Sequence, residues 1–179
     1  MCKRDRSRTS LGICPIDQNG TAEQKKKYLP GMIQGKLTHC FGTVEPDAGS
    51  DATAIKTTAV LEGDEWVING NKTWITNANI CNFAMVVCQT DKNKGTKGLA
   101  VIIVDWGTPG FTRAPIEHKM AFRHHDHGQL FFRDCRVPRS NQLGGFGMKA
   151  AFSNVEHTRF GIACAAVGAI QACLDCSIK

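Results

Sequence analysis

Residues 57–76 read TTAVLEGDEWVINGNKTWIT, and this stretch decides the fold. Apolar, β-branched and aromatic residues predict strands over residues 57–61 and 65–68. Asn69-Gly70 follows the second run directly, and Asn-Gly is the strongest short hairpin signal. Residues 72–76 are then the predicted return strand. A strand–turn–strand order with no intervening helix indicates an antiparallel sheet.

The same pattern extends on both sides of this stretch. Further strands are predicted over three apolar runs, at residues 83–89, 99–104 and 129–137. Residues 21–35 predict a helix that Thr21 caps, that carries three lysines in its last turn and that Pro30 interrupts. Apolar residues from about 147 onward return to helical spacing. The predicted fold class is α+β, with a middle domain built as an antiparallel β-barrel or sheet and flanked by helices.

These changes of pattern predict three parts of the chain. Residues 1–37 are expected to form the end of an N-terminal helical region and a linker, residues 38–140 a middle β-domain, and residues 141–179 the start of a C-terminal helical domain. The last helix has a surface rich in Ala and Gly, which favours close packing against another helix. We therefore expect the chain to be a fragment of a larger protein, or a segment whose packing partners lie in another chain.

Composition excludes several classes of protein. The chain has 179 residues, 42% of them hydrophobic, which is enough for one core and too much for a disordered chain. The net charge of +6 is scattered, so it does not by itself indicate nucleic acid, and anionic small molecules such as phosphates fit it equally well. No apolar run approaches the roughly 20 residues of a membrane span, so none is expected.

The nine cysteines and a histidine-rich run are the candidate metal ligands of this sequence. No paired CxxC motifs occur, and Cys173 and Cys176 form a single one, so a structural zinc site is not expected. The run His124-His125-Asp126-His127 is expected to be a solvated loop, since adjacent residues rarely converge on one ion. Without a secretion signal, a reducing compartment is expected.

Three motifs could carry chemistry. Residues 41–51, FGTVEPDAGSD, predict a tight turn whose exposed N–H groups form an anion site, with an ordinary loop as the alternative. Trp74 could lie against a flat heteroaromatic ring with Thr76 on the same face, or be a core residue beside a surface threonine. Glu156 and Arg159 share a helix face, which by itself indicates an intrahelical ion pair.

Taken together, four phrases resemble the acyl-CoA dehydrogenase family. They are CFGTVEPDAGSD (40–51), GDEWVINGNKTWITN (63–77), DCRVPRSNQLG (134–144) and EHTRFGIACAAVGAIQA (156–172). The upstream TAEQKKKYLPGMIQGK (21–36) is similar to the family's linker from its N-terminal helical domain. The resemblance covers nearly all of the chain from about Ser10 onward.

The resemblance implies an FAD enzyme that desaturates an acyl-CoA at Cα–Cβ, with hydride transfer from Cβ to flavin N5. It also implies an electron-transfer flavoprotein as electron acceptor, a homo-oligomer, and a location in the bacterial cytoplasm or the mitochondrial matrix. Other functions left open are an acyl-CoA oxidase on the same scaffold and a non-catalytic or degenerate flavin- or CoA-binding module.

The resemblance also implies roles for individual residues. Those expected to contact the flavin are Phe41, Thr43, Val44, Gly49, Ser50, Trp74, Ile75 and Thr76. Those expected to contact the substrate are Ser50, Glu156 and Arg159. The catalytic residue is unassigned, because the family's usual glutamate would lie beyond residue 179 and the alternative position holds Thr158. The isolated chain is therefore expected to be inactive.

One departure from the family pattern concerns the residues before Glu45. The family usually has Leu-Thr or Val-Thr there, whereas this chain has Thr43-Val44. The hydroxyl expected to face the flavin pyrimidine edge is therefore moved by one residue, onto the opposite face of a strand.

Overall fold

The computed structural model describes residues 12–147, 152 and 155–178, without the side chains of Glu156 and His157. The helices in this part are α1 (Cys14–Asn19), α2 (Ala22–Ile33) and α3 (Val155–Ile178). The strands are β1 (His39–Gly42), β2 (Thr58–Glu62), β3 (Glu65–Thr76), β4 (Phe83–Gln89), β5 (Leu99–Asp105), β6 (Phe111–Pro115), β7 (His127–Pro138) and β8 (Gln142–Leu143).

The eight strands form one sheet that does not close into a barrel. Its order is β6-β7-β3-β2-β4-β5-β8, and β1 pairs with β4 beside this path. The predicted α+β class is confirmed, and so are the strands predicted at 83–89, 99–104 and 129–137. Strands β1 and β6 had not been predicted.

The expectation of a wholly antiparallel sheet was wrong at β4. Strand β1 runs parallel to it, with His39 opposite Phe83, and β2 also pairs parallel to it through Thr58 and Gln89. Strand β5 pairs with all seven residues of β4 along one edge. Because a strand has only two edges, β1 and β2 share the other one.

The predicted turn at Asn69-Gly70 was also wrong. Strand β3 continues through it, with a register shift opposite β7 between Ile68 and Gly70. The hairpin turn is instead Gly63-Asp64, six residues earlier, and it places Glu62 opposite Glu65. Gly70 has φ +142°, and a Cβ there would lie 2.7 Å from Thr57 Cα, so the glycine serves a bulge and a close backbone approach.

The predicted helix at 21–35 is present as α2. Thr21 and Gln24 form a reciprocal capping box, with Gln24 N–H donating to Thr21 Oγ1 at 3.2 Å and Thr21 N–H donating to Gln24 Oε1 at 3.0 Å. Pro30 does not interrupt the helix, which continues to Ile33. Since Pro30 is within the last turn, only one main-chain hydrogen bond is sacrificed there.

The expectation that the last turn of α2 carries the three lysines was wrong, because that turn contains no basic residue. Lys27 lies in mid-helix, and its ammonium is 2.6 Å from Asp105 Oδ2 on β5. The Tyr28 hydroxyl donates to the other oxygen of Asp105 at 3.0 Å. These contacts attach α2 to the sheet.

Both faces of β4 are buried, which explains its continuous apolar run. Phe83, Met85 and Val87 pack in one cluster with Tyr28 and Met32 of α2. The alternate residues of β4 face a second cluster, which includes Ala84, Val86, Cys88, Ile68 and Leu130. The sheet thus separates two apolar layers.

Helix α3 has the helical structure predicted for the last part of the chain, and its residues from Arg159 to Ile178 are exposed. The segment Thr158–Ile178 has a mean hydropathy of 1.6 and is long and apolar enough to cross a membrane. The expectation that no run reaches that length was therefore wrong. The finding is weak evidence for a membrane span, because a helix covered by other protein has the same composition.

Candidate functional site

A cavity of about 610 Å³ lies where β1 and β3 end and α3 begins. The described residues that line it are His39, Cys40, Phe41, Thr43, Val44, Trp74, Ile75, Thr76, Asn77, Phe152, Val155, Thr158, Arg159, Ile162 and Ala163. Most of these side chains are apolar or aromatic, with a few hydroxyl, amide and cationic groups among them. That composition is typical of a site for a small organic ligand.

The cavity brings together most of the residues that the sequence singled out. Phe41, Thr43, Val44, residues 74–76 and Arg159 all line it. Gly49 and Ser50 are exposed on the loop beyond the Glu45–Ala48 bridge and do not line the cavity. Glu156 lies on α3, and its side chain is outside the described part of the structure.

The end of β3 has an unusual backbone that aims three consecutive residues at the cavity. Trp74 has φ +57°, and the pairing with β7 shifts register between Lys72 and Ile75. Trp74 and Thr76 line the same cavity, as the sequence predicts, and the irregular backbone allows Ile75 between them to line it as well. A tryptophan in the left-handed backbone conformation is strained by about 1–3 kcal/mol. The packing of the buried residues on both sides of it holds this conformation in place. The Trp74 ring remains 56% exposed.

Thr43 and Val44 both face the cavity because they follow β1 rather than belonging to it. Strand alternation does not apply to them, so the expected opposite orientation of the two side chains was wrong. Their carbonyl groups are held by β3: Thr73 N–H donates to Val44 O at 2.9 Å, and Lys72 Nζ donates to Thr43 O at 3.4 Å.

A buried ion pair supports this loop from beneath. Lys72 Nζ lies 2.7 Å from Glu45 Oε1. The same carboxylate accepts hydrogen bonds from the main-chain N–H groups of Lys56 (2.7 Å) and Thr57 (2.9 Å). Burial acts to raise the pKa of Glu45, but Lys72 and these donors outweigh it, so the pKa is lowered and the carboxylate is ionised.

Sequence reasoning missed several residues of the cavity. His39, Cys40 and Asn77 were not predicted to line it, although Cys40 and Asn77 stand at the ends of the quoted phrases 40–51 and 63–77. The α3 residues Val155, Thr158, Arg159, Ile162 and Ala163 line it together. Their spacing of three, four, seven and eight residues marks one helix face, and that signal could have identified them. No carboxylate is among the described side chains that line the cavity.

The histidine-rich run at 124–127 lies in a separate surface loop, where the Asp126 carboxylate accepts hydrogen bonds from Asn79 N (2.8 Å) and Asn79 Nδ2 (2.6 Å). Lys119 Nζ lies 3.0 Å from His127 Nδ1. Within the described residues, no three His, Cys, Asp or Glu side chains are arranged to hold a metal ion.

The fold and the cavity define a β-domain with a largely apolar pocket between a sheet and a helix. Residues 40–135 match the family description "Acyl-CoA dehydrogenase, middle domain", and residues 6–36 match "Acyl-CoA dehydrogenase, N-terminal domain". The first match covers more than half of the chain. The chain belongs to the acyl-CoA dehydrogenase family.

Individual relatives agree with this assignment. The mitochondrial short-chain specific acyl-CoA dehydrogenase of Mus musculus is 41% identical over 172 residues, which are 95% of this chain and 42% of the mouse protein. The caffeyl-CoA reductase–Etf complex subunit CarC of Acetobacterium woodii is 39% identical over 97% of this chain and 46% of its own length. The chain thus spans less than half the length of these relatives.

A solved structure shows the same fold. The glutaryl-CoA dehydrogenase of Mycobacterium smegmatis in complex with FADH2 superposes with a TM-score of 0.85 at 37% identity. The superposition covers 90% of this chain and 41% of the M. smegmatis chain.

Proposed function

We propose that the protein is the flavin-binding part of an FAD-dependent acyl-CoA dehydrogenase, which desaturates an acyl-CoA thioester between Cα and Cβ. The observation that carries the proposal is the cavity in which residues 74–76 meet the first turns of α3. It joins the phrases at 63–77 and 156–172, which are distant in sequence, and both belong to the family resemblance.

The cavity suits an isoalloxazine ring. Phe41 and Trp74 supply aromatic surface, and Thr43, Thr76 and Asn77 supply polar atoms at its wall. Flat heteroaromatic ligands favour such a combination of stacking surface and few convergent polar groups. FAD, when bound, supplies the hydride acceptor for the desaturation. The M. smegmatis relative with FADH2 supports the choice of cofactor.

The residues of the chain would orient the two ligands. We assign Phe41, Thr43, Val44, Trp74, Ile75 and Thr76 to the flavin ring, and Gly49 and Ser50 to the outer part of the site. Gly49 and Ser50 are exposed residues of the loop beyond the Glu45–Ala48 bridge, and we assign their N–H groups to a pyrophosphate or to the substrate.

The substrate is proposed to be an acyl-CoA that approaches along α3. Arg159 lines the cavity and is exposed, so its guanidinium can pair with a phosphate group of CoA. Glu156, three residues earlier, is assigned to the same end of the substrate. Removal of the Cα proton requires a base, and no described residue of the cavity is assigned that role.

The proposal includes partners and location. The relative from the caffeyl-CoA reductase–Etf complex supports an electron-transfer flavoprotein as electron acceptor. The whole protein is proposed to be a homo-oligomer located in the bacterial cytoplasm or the mitochondrial matrix, the latter supported by the mitochondrial mouse relative. The division of the chain at residues 37 and 140 is supported by the matched ranges 6–36 and 40–135.

The experiment is to reconstitute the purified protein with FAD, remove free flavin by gel filtration, and record the visible spectrum. We expect a retained flavin spectrum in the parent and in Trp106→Ala, and loss of flavin in Trp74→Ala. The protein encoded by the full reading frame is then mixed anaerobically with a panel of acyl-CoAs, beginning with butyryl-CoA. Bleaching of the flavin absorbance supports the proposed reaction.

The same experiment separates the alternatives. Failure of the parent to retain flavin contradicts the proposal and favours a degenerate module. Retained flavin that no acyl-CoA bleaches favours a non-catalytic binding module, an outcome consistent with the absence of a carboxylate among the described lining side chains. Rapid reoxidation of the bleached flavin by oxygen favours an acyl-CoA oxidase over a dehydrogenase.

A further inference from the structure

A buried lysine and a buried glutamate meet behind the cavity wall. The Lys72 ammonium, on β3, lies 2.7 Å from Glu45 Oε1 and donates at 3.4 Å to Thr43 O. Neither Lys72 nor Glu45 is among the residues that line the cavity, whereas Thr43 is. The pair can therefore act on a ligand in the cavity through Thr43 and its neighbours.

Two consecutive residues of β3 hold two consecutive carbonyl groups of the loop that follows β1. Lys72 donates to Thr43 O through its side chain, and Thr73 N–H donates to Val44 O at 2.9 Å. The next residue of β3 is Trp74, which lines the cavity as Thr43 and Val44 do. These contacts connect one wall of the cavity to another.

The Glu45 carboxylate connects three segments of the chain. Besides Lys72, it binds the main-chain N–H groups of Lys56 and Thr57, which precede β2. It therefore holds both ends of the segment from residue 45 to residue 57. That segment includes the two exposed residues assigned above to the outer part of the site.

Space for the lysine depends on a glycine at the end of β1. Gly42 immediately precedes Thr43, and a Cβ at Gly42 would lie 3.3 Å from Lys72 Cγ and 3.5 Å from Leu130 Cδ1. The aliphatic part of Lys72 thus packs against the main chain from which the loop begins. A side chain added at position 42 would displace the lysine or the loop.

We propose that Lys72 and Glu45 are positioning residues for the flavin, which hold Thr43 and Val44 in place relative to Trp74. The proposal rests on the flavin site proposed above. A ligand that contacts two walls binds more tightly when both are fixed before it arrives, because ordering a loose wall opposes binding. A buried ion pair suits this role, since neither charge can leave its partner without a large desolvation penalty.

The test compares FAD affinity with stability in the same variants. Flavin fluorescence titration gives the dissociation constant, and urea unfolding gives the stability. We expect Lys72→Met and Glu45→Gln each to raise the dissociation constant about tenfold, the effect of losing one buried polar interaction.

The double variant Lys72→Met/Glu45→Gln distinguishes positioning from a merely structural role. Its stability should recover in part, because no unpaired charge is left in the interior. Its dissociation constant for FAD should stay raised, because methionine cannot donate to Thr43 O. A dissociation constant that returns toward the parent value together with the stability would show that the pair acts on folding alone, and would overturn the proposal.

A third variant leaves both charges in place and keeps the test valid if Lys72→Met does not fold. Gly42→Ala adds one methyl group against Lys72 and should raise the dissociation constant about threefold. An unchanged value in both Gly42→Ala and Glu45→Gln overturns the proposal.

Two controls are matched to these variants. Leu143→Ala removes a buried side chain on β8, at the edge of the sheet and outside the cavity lining, so it should destabilise the fold without changing FAD affinity. Lys56→Met breaks an exposed ion pair with Asp47 and should change neither quantity. If Leu143→Ala weakens FAD binding as much as Glu45→Gln does, affinity follows stability in general and the positioning role is wrong.

The titration also separates this proposal from the function on which it rests. A parent protein that does not bind FAD contradicts both. A parent that binds FAD, with variants of the pair that bind it equally well, contradicts only the positioning role and leaves the flavin site intact.

Discussion

Lys72 and Glu45 form an ion pair with a 2.7 Å separation, in which the two side chains are 0% and 4% exposed. The pair joins the middle of β3 to the loop that follows β1, and both segments line the cavity. Because both charges are removed from water, each one is stabilised in the interior only while the opposite charge is beside it. The pair therefore couples the positions of Trp74 and Thr43 on the cavity wall.

Removing the lysine charge should strongly destabilise the protein. We expect Lys72→Met to lower the free energy of unfolding by about 3–5 kcal/mol, because it leaves the Glu45 carboxylate buried with main-chain donors alone. The double variant Lys72→Met/Glu45→Gln should recover part of this loss. Urea unfolding followed by fluorescence measures both. As a control, Lys56→Met breaks an exposed pair with Asp47 and should leave stability nearly unchanged.

Acid should act on the same carboxylate. The pKa of Glu45 in the folded protein lies below its ordinary value of 4.5, so its ionisation stabilises the fold above that value. This stabilisation is lost as the pH falls below about 4.5 and through the folded-state pKa. We expect the free energy of unfolding of the parent to decline more steeply there than that of Glu45→Gln. Parallel profiles in urea titrations from pH 6 to pH 3 would contradict the assignment.

The two exposed tryptophans should differ in their effect on flavin. Trp74 lines the cavity, whereas Trp106 packs edge-on against Phe111 and under Arg113. We therefore expect Trp74→Ala to weaken FAD retention far more than Trp106→Ala. Flavin fluorescence titration gives both dissociation constants. Equal retention in the two variants would show that Trp74 is not a flavin contact.

The bulge in β3 can be tested with two alanine substitutions. In Gly70→Ala the new Cβ would lie 2.7 Å from Thr57 Cα at φ +142°, and we expect a loss of about 3 kcal/mol. In Gly63→Ala, at φ +62° with nothing within 4 Å of the new Cβ, we expect about 1 kcal/mol. A larger loss at Gly63 would contradict the placement of the bulge.

Helix α3 should cause self-association of the 179-residue chain. Its exposed apolar side chains include Phe160, Ile162, Val167 and Ile170, each at least 66% exposed. Such a continuous surface exceeds what soluble monomers usually tolerate. We expect the double variant Val167→Lys/Ile170→Lys to reduce the mass found by light scattering. The control is Ile33→Lys on α2, which replaces an equally exposed isoleucine and should leave the mass unchanged. A parent that is monodisperse and monomeric would contradict this.

Local patterns predicted much of this protein. The buried runs at β4 and β5 are apolar throughout, because both strand faces meet core, and that signal needs no long-range information. The Thr21–Gln24 cap spans three residues, so it is also visible locally. The motifs at 41–51 and 74–77 identified the family and most residues of the cavity loop.

Other features depended on contacts between distant residues. Asn69-Gly70 has the local chemistry of a hairpin turn, yet Thr57 packs against Gly70 and β7 pairs through it, so the strand continues. Thr43 and Val44 were misplaced because the sequence does not show where β1 ends. Lys72 looks like a strand surface residue until Glu45, 27 positions away, is placed beside it.

The sequence by itself determined the helix–sheet–helix order, the buried strands and the family, because each depends on periodicity or on motifs read within a few residues. Only the tertiary structure decided along which edge of β4 each neighbouring strand pairs, which glycine lies at the bulge, and how the first turns of α3 line the cavity together with Trp74. The physical reason is that these outcomes depend on steric exclusion and charge pairing between distant segments of the chain. Contacts of that kind leave no periodic pattern in the sequence.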